Sequence, residues 1–203
     1  MASSRTGRPG SRGRRPGAPD TRTEILASAR ARFADRGFGG TTIRAVAADA
    51  GVDPALVHHY FGSKDDLFLA ALELPVDPRV LLAPVVAAGP EDAGARLLRT
   101  FLGVWDEPGN QLTFLGLFRS VLEPDGGRLI SQGFVPVVLG PVGQGLGLDR
   151  PEARMSLVAS QMIGLIMARY LLRLEPLASM APELLVETYA PTIQRYLTGD
   201  LPA

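Results

Sequence analysis

Two threonines, an arginine and two histidines hold most of the chemistry available to the first third of this chain. Thr41 and Thr42 stand where a helical pattern begins. Hydroxyls beside the free N–H groups of a helix start suit a phosphate. Both can equally serve as N-caps, and Thr41 need be no more than that. Arg44 projects from the same helix start, toward a phosphate, a base edge or solvent. His58 and His59 are the only histidines. An adjacent pair invites a metal reading, but the chain has no Cys, and further ligands would have to be carboxylates such as Asp49 or Asp53. Neighbouring helical residues also point about 100° apart. No metal and no cofactor is expected. An enzyme is not expected either: both histidines sit in one short helix, and the serines have no evident base partner. The Gly-rich stretch 139–147 lacks the Lys-Ser/Thr of a phosphate loop.

Elements must hold these residues in place. Helical periodicity starts at Thr21, where Thr21 and Glu24 fit a capping box and Asp20 competes as the cap. It runs through Ile25, Leu26, Ala29 and Phe33 and stops at Gly37, predicting a helix over 21–36. Thr41-Thr42 opens a short helix with Ile43, Val46, Ala47 and Ala50 on its apolar side, ended by Gly51. Asp53 caps a third helix with Pro54 in its first turn, and Gly62 breaks it. Ser63 caps a fourth, whose buried face is Leu67, Phe68, Ala71 and Leu72. Residues 42–61 thus have the form of a helix-turn-helix. Gly51 permits the sharp turn, and Val46, Ala47 and Val57 lock the pair. In such a unit the second helix lies in the major groove while the first crosses the DNA backbone.

The run TTIRAVAADAGVDPALVHHYFGSKDDLFLAAL resembles the DNA-binding domain of the TetR (tetracycline repressor-like) family, and ILASARARFADRGFGG before it matches that family's first helix and its Gly-aromatic exit. The resemblance covers residues 21–72. It implies that Pro54, Ala55 and His58 occupy base-contacting positions, and that Tyr60 and Lys64 occupy phosphate-contacting ones. Thr42 is expected at a phosphate. Pro54 and Ala55 offer only apolar contact, for example to a thymine methyl, which leaves His58 as the one polar reader, a donor or acceptor toward a purine edge. Leu56 and His59 can be core or rim. The helix is poor in Arg, Asn and Gln, so part of the specificity is expected from DNA shape.

After Pro75 the composition turns to Leu, Val, Gly and Pro, and helices are expected near 79–88, 91–105, 111–123, 127–147 (broken by Pro136 and Pro141), 151–173 and 182–198. The fold expected is all-α, with about nine or ten helices. An N-terminal three-helix helix-turn-helix domain joins through a fourth helix to a larger C-terminal bundle. The expected divisions are a disordered Arg/Gly/Pro-rich tail at 1–19, a DNA-binding domain at 20–72, and a ligand-binding and dimerisation domain at 73–203.

Phe101, Trp105, Phe114, Phe118 and Met162, with Gln111 and Gln161 as polar groups, can line a cavity for a flat apolar effector. The helix at 151–173 is apolar on nearly every face, so it must be buried on nearly every face. The resemblance places a four-helix dimer contact in the last two helices. Val158, Met162, Ile166 and Tyr170 on one, with Leu185, Tyr189 and Ile193 on the other, are the expected interface. A homodimer sets two reading helices about 34 Å apart on a near-palindromic operator. An effector preferring a wider-spaced conformer would pull them out of register through the fourth helix. The alternative is an activator, or a ligand-independent DNA-binding dimer, of the same fold.

The charge balance at first argues against nucleic acid: 21 Lys+Arg face 21 Asp+Glu. The average conceals an asymmetry, since residues 1–72 hold 11 basic and 7 acidic side chains and residues 73–203 hold 10 and 14. Residues 20–72 alone hold 6 basic and 7 acidic, so phosphate contacts should be few and placed. Arg5, Arg8, Arg12, Arg14 and Arg15 of the tail can thread a minor groove or stay solvated. No secretion signal is visible. The uncharged stretch 129–148 is interrupted by Pro136, Pro141 and five glycines, which makes it a poor membrane span. A cytoplasmic, nucleoid-associated protein is expected.

Overall fold

A computed structural model describes residues 20–121 and 127–202. The expected tail at 1–19 and the end of the helix expected at 111–123 lie outside the described residues. The described residues form ten helices and no strand. They are α1 (Thr21–Gly40), α2 (Ile43–Asp49), α3 (Pro54–Phe61), α4 (Lys64–Ala71), α5 (Pro78–Ala87), α6 (Ala93–Trp105) and α7 (Pro108–Val121). α8 runs through wide, π-type turns at Leu129–Leu139 into Gly140–Gly145, α9 through Pro151–Leu165 into wide turns at Ile166–Leu171, and α10 spans Pro182–Thr198.

The start signals act where the side chains can reach. The Thr42 hydroxyl accepts the Ala45 N–H at 3.2 Å, the Asp53 carboxylate accepts the Ala55 N–H at 2.8 Å, and the Ser63 hydroxyl accepts the Asp66 N–H at 3.1 Å. Each satisfies an amide that has no partner within its helix. The capping box at Thr21 does not form: Asp20 is the N-cap, its carbonyl accepting the Thr23 and Glu24 amides. Gly37 takes the left-handed φ of 67° and kinks α1, but one more helical turn follows before the chain extends at Thr41. Residues 42–61 fold as a helix-turn-helix, with Gly51 at φ 66° and the Val52 amide donating to Ala47 O.

Pro136 and Pro141 do not break α8 into separate helices. Pro136 lies in the wide-turned stretch and Pro141 in the first turn of the tighter stretch. A proline has no N–H to donate, so both are tolerated where the hydrogen-bond register shifts.

One apolar core runs from the first helices into the later ones. It joins Ile25, Phe33, Val46, Val57 and Phe68 to Leu98, Val138, Met155, Leu185 and Ile193. Phe33, Phe38 and Phe68 form an aromatic triad with ring centroids 5.1 to 5.9 Å apart. α6 and α10 pack closely because Gly94 leaves the space: a Cβ there would lie 2.8 Å from Ala190 O. A buried Arg154 ties the start of α9 to the end of α10, donating to Asp149 and to the carbonyls of Tyr196 and Gly199. No helix among the described residues is long and apolar enough to cross a membrane.

Candidate functional site

The reading face is built from short helices held at both ends by local bonds. Val46, Ala47 and Val57 are fully buried and join α2 to α3. Arg32 on α1 grips Asp49 at the end of α2, with Nη2 2.8 Å from Oδ1, and this pairing holds the Asp49 carboxyl below the usual carboxylate range. α2 is thereby fixed against α1, and Asp49 is engaged by Arg32. Thr42, Arg44, Ala55, His58, His59 and Tyr60 are exposed, and Pro54 is half-buried.

Thr41 differs from the expectation that groups it with the DNA-contacting residues. It is fully buried, and its hydroxyl donates to Gly37 O (2.8 Å) or Arg32 O (3.1 Å). A hydroxyl inside the protein cannot reach a phosphate outside it, so Thr41 joins α2 to the kinked end of α1. Lys64 is half-buried, with Nζ 4.1 Å from the Phe38 ring centroid. That burial pushes its pKa down. The ring lies under the ammonium. His59 stands edge-on to Tyr60, centroids 5.7 Å apart. The described residues hold no group of three or more His, Cys, Asp or Glu that could hold a metal.

A second feature lies among the later helices. Phe101, Trp105, Phe114, Phe118 and Met162 all line one cavity of about 200 Å³. Among the described residues that line it, Thr100 and the Trp105 indole carry the only polar side-chain atoms besides thioether sulfur, and none is charged. Gln111, expected as a polar member of this cavity, instead lines a polar cleft on the other side of Trp105, together with Asp106, Arg169 and Tyr170. There the Tyr170 hydroxyl donates to Asp106 at 2.9 Å, and burial with that carboxylate beside it pushes the Tyr170 pKa up. Trp105 is stacked by Phe114 and Tyr170, each with a centroid 4.9 Å away.

The interface expected between two copies needs correction. Val158, Leu185 and Ile193 are fully buried within the single chain. Val158, Met162 and Ile166 line the cavity, Tyr170 belongs to the polar cleft, and Tyr189 is half-buried. α9 is not enclosed on nearly every face. It turns Leu157, Ser160 and Gly164 outward, and α10 turns Leu184, Thr188 and Pro191 outward.

A helix was expected near 127–147, where α8 lies, but not the packing role that α8 takes. Leu129, Ile130, Phe134 and Val135 line the cavity. Between them, Gln132 fills the space beside Gly37 of α1, and Gly133 lies against the Phe68 ring of α4. Arg128, one turn earlier, donates to Asp35 O at 2.8 Å. The long uncharged run was visible in the sequence, but its prolines and glycines pointed to a break rather than to a structural bridge.

A family model described as "Bacterial regulatory proteins, tetR family" matches residues 25–71, and one described as "Tetracyclin repressor-like, C-terminal domain" matches residues 91–197. The HTH-type transcriptional regulator BetI of Brucella anthropi is 44% identical over 54 residues, covering 27% of this chain and 28% of that protein. Its counterpart in Rhizobium meliloti is 41% identical over 54 residues, 27% of each chain. The match spans little more than a quarter of the length of these curated relatives. The crystal structure of a TetR-family regulator from Streptomyces coelicolor A3 is 35% identical, covers 91% of this chain and 98% of that one, and has a TM-score of 0.47.

Proposed function

Because this chain belongs to the TetR family of bacterial transcriptional regulators, we propose that it is a repressor that grips a near-palindromic operator as a homodimer and lets go when a small apolar effector binds. In this reading residues 20–72 bind DNA, residues 73–203 bind effector and partner, and the protein works in the cytoplasm. Thr42, Arg44, Tyr60 and Lys64 engage phosphates. Pro54 and Ala55 touch base edges through apolar atoms, and His58, with His59 at the rim, supplies hydrogen bonds.

The observation that carries the reading is the position of α8. One side of its wide-turned stretch lines the apolar cavity, and Gln132 and Gly133 of the same stretch press on Gly37 and Phe68 beneath the helix-turn-helix. The end of α4 reaches the same cavity through Leu72. An effector that enlarges the cavity therefore displaces the two supports of the reading head together. Packed interiors shift between discrete arrangements rather than yield smoothly, so a small displacement changes the spacing of two heads on DNA. The apolar lining among the described residues supports an uncharged, hydrocarbon-rich effector, because a buried charge with no partner costs several kcal/mol. The outward faces of α9 and α10, centred on Leu157, Gly164 and Leu184, supply the contact between copies in place of the buried residues first expected.

The test is fluorescence anisotropy of the full chain on duplex DNA from upstream of its own gene. Saturable binding with two chains per site at 100 mM salt, reversed by naphthalene, is the expected result. Binding that naphthalene and similar hydrocarbons leave unchanged would remove effector release, and one chain per site would remove the dimer.

A further inference from the structure

His58 is held twice by Gly62. The Gly62 N–H donates to His58 O at 2.8 Å, and His58 Nδ1 lies 2.9 Å from Gly62 O. Gly62 can direct its carbonyl this way because it adopts φ 79°, which favours glycine. A carbonyl oxygen can only accept, so Nδ1 carries the ring proton. In a neutral imidazole the other nitrogen, Nε2, is then an acceptor and nothing else. The ring is exposed on the outer face of α3.

In the major groove the only donors on base edges are the exocyclic amines, N6 of adenine and N4 of cytosine. Guanine and thymine present acceptors at the corresponding positions. We propose that His58 sorts bases by amine against carbonyl, accepting a hydrogen bond from adenine or cytosine through Nε2 and disfavouring guanine and thymine. This rests on the operator-binding reading above and sharpens it. The sequence alone left His58 a donor or an acceptor at a purine edge. The bond to Gly62 makes the split amino against keto rather than purine against pyrimidine. Pro54 and Ala55 have no side-chain donor or acceptor to override it.

Selection of sites from randomised duplex DNA at pH 8, with the full-length protein and with His58→Ala, tests this. One position in each half-site should favour A or C over G or T by about five-fold in the wild type, with the bias lost in the variant. A preference for G or T at the position that depends on His58, or a preference profile unchanged in His58→Ala, overturns the proposal and leaves operator binding standing. If the favoured base is adenine, replacing it by purine deoxyriboside, which lacks the N6 amine, should weaken the wild type about five-fold and leave His58→Ala unaffected. Equal losses in both proteins also overturn it. If the wild type selects no sequence, the operator reading fails first and this proposal with it.

Discussion

The side chain of Gln132 occupies the space that any side chain on Gly37 would need. The two residues come from α8 and from the kink of α1, and Gly37 is also in the left-handed region at φ 67°. Gly37→Ala therefore meets two penalties, backbone strain and a collision. It should lower stability by roughly 2–3 kcal/mol in urea unfolding. Shortening the neighbour relieves only the collision, so Gly37→Ala made in a Gln132→Ala background should cost less than in the wild type. Equal costs in the two backgrounds would show that the residues do not bear on one another.

Thr41 and Thr42 stand side by side with different surroundings, and substitution separates them. The Thr41 hydroxyl is buried against the carbonyls of Gly37 and Arg32, so Thr41→Val should cost about 1–2 kcal/mol of stability. It should leave the DNA affinity of the folded fraction unchanged. Thr42 is an exposed cap. Thr42→Val should cost about 1 kcal/mol of stability and should also weaken operator binding, with the salt dependence unchanged because a neutral hydroxyl displaces no counterion.

A pH dependence is built into the junction of α4 and α5. Arg79 reaches Asp66 at 2.8 Å and Asp77 at 2.9 Å. The Ser63 hydroxyl, and then Arg79, hold the Asp66 carboxyl below the usual carboxylate range, and Arg79 does the same for Asp77. Carboxyls with lowered folded-state values stabilise the fold above their unfolded value near 4 and lose that contribution as pH falls through the folded value. The partners are more than a third exposed, so solvent screening keeps each pair below about 1 kcal/mol. The stability gap between wild type and Arg79→Met should therefore be small at pH 7 and should close as pH falls below about 4. A gap that persists at the acid end would mean that the Arg79 side chain acts through its packing and not its charge.

The helix-turn-helix was legible because its signals are local. Thr42, Asp53 and Ser63 each cap an amide two or three residues ahead, and Gly51 turns in place. No distant packing is needed to read them. The outward face of α9 was illegible for the opposite reason. α9 carries apolar residues on most sides, so periodicity cannot say which side meets the chain's own core. Val158 turned inward and Leu157 outward, although they are neighbours of equal hydrophobic character. The helix at α8 was legible, but its continuity and its bridging role were not, because wide turns shift the spacing of its inward residues away from the ordinary helical repeat and Pro136 reads as a stop when the register shift is not foreseen.

The cavity gives the sharpest test of effector chemistry, and Trp105 is both its wall and the only tryptophan in the chain. Its fluorescence should change when an uncharged hydrocarbon that does not absorb where tryptophan is excited, such as cyclohexane, enters. Naphthalene should raise the unfolding temperature, by roughly 5–10 °C at a hundred times its dissociation constant for a chain of this size. A naphthoate and a naphthylmethylammonium of similar shape should fail, because no charged group among the described residues lines the cavity to receive either. Ala159 is nearly buried at the cavity wall. Ala159→Phe should fill the cavity, abolish the naphthalene response and leave operator binding in place. If the charged analogues raise the unfolding temperature as much as naphthalene does, ligands are being held elsewhere, and the polar cleft beyond Trp105, with Asp106 and Arg169 on its walls, becomes the site to mutate.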